Sequence, residues 1–164
     1  MMGYPSLSGA CATQCSNPTT ATDWKGQAYE AKVAFFDIGL PNAQYLTVPN
    51  DVTTITQNAY DAGARIHTNS WGMPSNTYSG GSYGFDKFSY DNQDFVVLVA
   101  AGNSGGPTAG SDGTIGAPAT GKNVIAVGAG QQHADFWTAL NAPCTSCSND
   151  DIATFSSRVA GSAL

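Results

Sequence analysis

Apolar runs too short to cross a membrane, separated by stretches with helical spacing, constrain this chain most. Ala31–Ile38, AKVAFFDI, Phe95–Ala101, FVVLVAA, and Asn123–Gly128, NVIAVG, are nearly continuous in apolar residues. Runs of this length and β-branched or aromatic content read as strands buried on both faces. Arg65–Trp71, RIHTNSW, reads as one more strand, and a shorter one is expected around Ile152–Phe155. Between the first two of these strands, Asn50 or Asp51 is placed to cap a helix. Val52, Ile55, Ala59 and Ala62 then recur on one helical face, and Gly63 supplies the stop. A second helix is expected from about Tyr83 to Asn92, with Phe85 and Phe88 turned inward. Strands alternating with helices imply an α/β fold, a three-layer sandwich with a mostly parallel sheet and helices on both faces.

Size and charge bound the rest. With 164 residues the chain makes one domain or most of one. Charged residues are only 11%, but 41% hydrophobic and 10% aromatic residues argue for a packed core and against disorder. A net charge of −6 with six Lys and Arg makes nucleic acid and anionic membrane poor partners. No apolar run reaches the roughly 20 residues of a membrane span. Residues 1–25 are irregular, and MMGYPSLSGA has neither the basic nor the apolar region of a signal peptide. The last residues, VAGSAL, show no capping signal or closing element, so both ends are expected to be cut. The four cysteines form two close pairs, Cys11 with Cys15 and Cys144 with Cys147. Zinc and redox chemistry are alternatives for such spacing. Local disulfides in an oxidising compartment are the expectation, and with the Gly-, Ser-, Thr- and Asn-rich composition they suggest secretion.

In open parallel sheets ligands bind beyond the carboxyl ends of the strands. Two strands end there in small or polar residues, one in Asn69-Ser70-Trp71-Gly72 and the other in Ala100-Ala101-Gly102-Asn103. A simple turn would explain Asn103 and the glycines, but not the two alanines ahead of them. Small residues at a strand end let another chain approach closely, and a side-chain amide beside the gap can donate a hydrogen bond to a developing oxyanion.

Other chemical motifs fare worse. Gly80-Gly81-Ser82-Tyr83-Gly84 matches G-x-S-x-G, but that motif needs a strand directly before it, and SNTYS reads as loop; a flexible glycine loop is the expectation. Gly102-Asn103-Ser104-Gly105-Gly106 has the outline of a chymotrypsin-type nucleophile motif, and His67, Asp94 and Ser104 follow that order. The surrounding strand–helix alternation does not fit, and His67 inside a strand reads as structural. His67 and His133 lack a partner at metal-ligand spacing. Asp86, Asp91 and Asp94 read as a solvated helix face.

Four segments in series, NSWG (Asn69–Gly72), AAGNSG (Ala100–Gly105), GTIGAPATGKNVIAVGA (Gly113–Ala129) and FSSR (Phe155–Arg158), resemble the subtilisin-like serine proteases (subtilases, peptidase S8). The oxidatively stable alkaline type is the nearest likeness, in Gly26–Gly39 and Asn58–Gly72 as well. The resemblance runs over 26–158 and implies that 1–164 is the central part of a catalytic domain. It implies that Asn103 is the oxyanion donor. It also implies that Ser70, Trp71 and Gly72 pair with the substrate chain, that Ala100, Ala101 and Gly102 wall the P1 pocket, and that Pro118 follows a cis bond. The chemistry implied requires no cofactor, structural calcium is common in the family, and the partner is a polypeptide substrate cut by a monomeric enzyme. The motifs that carry the catalytic Asp, His and Ser are absent, so the segment is expected to be inactive alone. The alternative is non-enzymatic: a shortened pseudoprotease binding peptides in the retained groove. Sequencing outward from both ends separates the two, by in-frame triad motifs or in-frame stops.

Overall fold

The computed structural model describes residues 28, 30–42, 44–105, 113–131 and 152–159. The chain divides into two compact units, one of residues 1–33 and 130–151, the other of residues 34–129 and 152–164. The second unit carries all the regular elements below. Cys11, Cys15, Cys144, Cys147, Gly106 and His133 lie outside the described residues.

The elements run α1 (Thr53–Asp61), β1 (Ile66–Asn69), α2 (Gly80–Asp91), β2 (Val96–Ala100) and β3 (Val124–Val127). The three strands form a parallel sheet in the order β1-β2-β3. Its register sets Thr68 beside Leu98 and Leu98 beside Ile125, and sets Asn69 beside Val99 and Val99 beside Ala126. Parallel neighbours need crossovers, and α2 is the crossover between β1 and β2. This is the α/β arrangement expected from the alternation of apolar runs and helical spacing.

Side chains alternate across a strand, so the register separates two faces. One face carries His67, Asn69, Val97, Val99 and Val124 and packs against α2. Val97 and Val99 are 0% exposed. With Val52, Phe85, Phe88, Phe95 and Ala119 they form the core. Edge-to-face rings tighten it, with Phe88 and Phe95 5.1 Å apart at their centroids. The other face carries Ile66, Val96, Ile125 and Val127, all exposed; among the described residues no helix covers it.

Helix α1 starts where Asp51 Oδ1 accepts the Thr53 N–H at 2.9 Å and its hydroxyl at 2.7 Å. These two bonds hold the Asp51 carboxyl below its ordinary pKa. Gly63, at φ +91°, ends the helix. Ile55 is buried and Ala59 half-buried, on the expected face, while Ala62 at the end is exposed.

Three expectations are corrected. The run 31–38 forms no strand, and Val33, Phe35 and Phe36 are exposed, because among the described residues no neighbouring strand supplies it with ladder partners. The glycine stretch 80–84 is the first turn of α2 rather than a loop. Ser79 Oγ accepts from Ser82 N–H at 3.2 Å and Ser82 Oγ accepts from Ser79 N–H at 3.3 Å, a reciprocal cap that offsets the poor helix propensity of glycine. Around Ile152–Phe155 the chain makes a single bridge residue at Ile152 and a turn at 154–155 instead of a short strand.

Candidate active site

The parallel sheet brings the carboxyl ends of β1 and β2 to one edge, and the chain beyond each end borders a cavity of about 210 Å³. Ser70, Trp71 and Gly72 line it after β1; Ala100, Ala101, Gly102 and Asn103 line it at the end of β2. The structure thus gathers every residue that the sequence suggested for substrate contact. Asn69, just ahead, is 4% exposed, and its Nδ2 donates to Leu98 O at 3.3 Å, tying the two strand ends together. The Trp71 ring lies 6.1 Å from that of Phe85, which anchors this wall to the core.

The 113–118 segment closes the cavity. Gly116 N–H donates to Ala101 O at 3.0 Å and Met73 N–H to Ala117 O at 2.8 Å, so this segment bonds to both strand ends. The Ala117–Pro118 bond is cis. Thr114, Gly116, Met73, Pro74 and Ser157 also line the cavity. The sequence alone gives them no role, although Thr114 and Gly116 fall inside the GTIGAPATGKNVIAVGA segment and Ser157 inside FSSR. A second, larger groove of about 740 Å³ shares the Trp71–Pro74 wall and takes in Tyr45, Leu46 and Val48.

Asn103 is exposed, and its side-chain amide bonds to no other described residue. It is available to an incoming group. Ser104 beside it is exposed too, but His67 and Asp94 are elsewhere. His67 sits in β1 on the packed face, its ring 6.0 Å from Phe85 and 6.1 Å from Phe95. Burial pushes its imidazole below the ordinary pKa, partly offset by a hydrogen bond with Asn69. Asp94, ahead of β2, pairs with Arg65 at 2.9 Å and accepts from Tyr60 Oη at 3.1 Å. A chymotrypsin-type triad is therefore not assembled.

The expected solvated face of Asp86, Asp91 and Asp94 divides in the structure. Asp91 pairs with Lys87 on the surface of α2, and this pairing raises the lysine pKa. Asp86 is 7% exposed instead. Its carboxylate accepts from the Lys122 N–H at 2.8 Å, the Asn123 N–H at 2.7 Å and Tyr78 Oη at 2.9 Å. It fastens α2 to the start of β3, and its bond to the Tyr78 hydroxyl holds that phenol above the ordinary pKa. Among the described residues, no three His, Cys, Asp or Glu side chains converge to hold a metal ion.

Residues 7–162 match the subtilase family, peptidase S8. The chain is a subtilase. Curated relatives agree. The serine protease/ABC transporter B family protein tagD of Dictyostelium discoideum is 37% identical over 123 residues, 71% of this chain and 6% of that protein. The tagB protein of the same name and organism is 35% identical over 127 residues, 74% of this chain and 6% of its own length. TagA is 29% identical over 126 residues, 72% of this chain and 7% of its own length. The subtilase chain thus spans 6% to 7% of the length of these relatives.

Proposed function

We propose that this chain supplies the oxyanion donor and the P1 pocket walls of a serine endopeptidase that acts on polypeptides through a Ser-His-Asp acyl-enzyme mechanism. The observation that carries the reading is Asn103: an exposed amide, bonded to no other described residue, at the rim of a cavity bordered by two trimmed strand ends. The substrate chain lies along Ser70-Trp71-Gly72 as an added strand, and its P1 side chain enters between that segment and Ala100-Ala101-Gly102. When a serine attacks the scissile carbonyl, the oxygen gains negative charge, and the Asn103 amide donates to it. A fixed donor costs no reorganisation as the charge develops. The chain carries none of the triad motifs, so the nucleophile and its His and Asp come from outside these residues. The chemistry needs no cofactor.

The paired cysteines support an extracytoplasmic setting. The likeness of Gly26–Gly39 and Asn58–Gly72 to the oxidatively stable alkaline type supports a place beside it within the family.

Two measurements test the reading. In the full-length protein carrying this segment, Asn103→Ala lowers kcat and leaves KM nearly unchanged. The expected size is about 10²–10³-fold, a figure carried over from subtilisin itself, the known example of this donor. An unchanged kcat overturns the assignment. The 164-residue chain alone does not react with a fluorophosphonate probe; labelling of any serine, Ser104 included, overturns the placement of the nucleophile outside it.

A further inference from the structure

We infer that Ser157 is a positioning residue for Asn103, holding the backbone on both sides of it so that the amide is presented in one place. This rests on Asn103 being the oxyanion donor.

Asn103 does not fix itself: it is exposed and its side chain bonds to no other described residue. Its neighbours are held instead by a single residue far along the chain. Ser157 N–H donates to Gly102 O at 3.0 Å. Ser104 N–H donates to Ser157 Oγ at 3.1 Å. The residue before Asn103 and the residue after it are thus bonded to the same serine, which is 5% exposed. The approach is close: a Cβ on Gly102 would lie 2.8 Å from Ser157 Oγ, and Gly102 has φ +113°, a conformation that a side chain would strain.

Ser157 is in turn anchored. Its neighbour Ser156, 1% exposed, accepts the Ala129 N–H on Oγ at 3.0 Å, beyond the end of β3. On the other side, Arg158 N–H donates to Thr114 Oγ1 at 2.9 Å, and Thr114 N–H donates to Arg158 O at 2.8 Å. The frame of Ser157 therefore runs to β3 and to the segment that closes the cavity. A donor that serves a transition state needs its supporting shell held to a fraction of an ångström. The Ser157 hydroxyl is the side-chain part of that shell.

Ser157→Ala removes the acceptor for Ser104 N–H and keeps the backbone bond to Gly102. In the full-length protein, kcat is expected to fall about 3- to 10-fold, the worth of one hydrogen bond, with KM unchanged. Placed on Asn103→Ala, the same substitution adds no further fall, because it acts only through the amide already lost. A wholly structural serine would lower activity equally in both backgrounds. If Ser157→Ala leaves kcat unchanged, or its effect persists in full on Asn103→Ala, the inference is overturned while the oxyanion reading stands. If Asn103→Ala itself leaves kcat unchanged, the oxyanion reading fails first. Amide hydrogen exchange in the unsubstituted 164-residue chain tests the contact without any variant. Ser104 N–H should exchange slowly although the residue is exposed; free exchange at Ser104 overturns the inference.

Discussion

The runs 31–38 and 95–101 are near equals in sequence and opposites in the fold. Each is a near-continuous apolar stretch rich in Val, Phe or Ala. The second becomes β2, paired on one side with β1 and on the other with β3, and buries Val97 and Val99 completely. The first has no regular structure; Phe35 is 84% exposed, and Ile38 O accepts from Thr47 N–H at 2.8 Å. A buried strand needs apolar side chains, but it also needs neighbours for every N–H and C=O along its length. β2 finds them in strands close by in the chain, whereas the outer edge of β1 carries no further strand among the described residues.

The contrast can be broken where it should be strongest. Phe85, 0% exposed, joins α2 to the packed face. Phe85→Ala should cost about 3–5 kcal/mol of unfolding free energy, read by chemical denaturation. A loss below about 1 kcal/mol would mean that this face is not the core. Val99→Ala, which removes two methyl groups from the centre of β2, should cost about 2 kcal/mol by the same measurement.

His67 gives a smaller, pH-dependent effect on the same face. Burial lowers its folded pKa from the ordinary 6.5. As pH falls below that value the unfolded chain takes up the proton first. The His67 contribution is therefore complete above the unfolded pKa and declines as pH drops toward the folded one. The acid side of the stability profile should flatten in His67→Phe; an unchanged slope would remove the histidine from the account. Smallest of all, Phe35→Ala should change stability by no more than about 0.5 kcal/mol. A loss near that of Val99→Ala would show the 31–38 run buried in solution and erase the contrast.

Much of the fold can be read in the chain before any coordinates. The α1 face at Val52 and Ile55, its Gly63 stop, the inward Phe85 and Phe88, and three of the strand positions all follow from short-range spacing. Such spacing is read over a few residues, where chain geometry alone decides which side chains share a face. The glycine stretch 80–84 was obscure for a matching reason: composition suggests a loop, and only the reciprocal bonds of Ser79 and Ser82 favour the helix. Asp86 was obscure because its partners, the amides of Lys122 and Asn123, lie more than thirty residues away.

The site divides in the same way. The sequence by itself determined which residue types stand at the strand ends: the amide at 103, the alanines ahead of it, and the NSWG segment. Their bulk and donor groups are properties of the residues, and the family likeness is carried in their order. Only the tertiary structure decided that both strand ends border one cavity, that the 113–118 segment closes it, and that Ser157 grips the peptide on either side of Asn103. Those are contacts between residues tens of positions apart. Their geometry depends on sheet register and on where the chain returns, and local spacing carries no record of either.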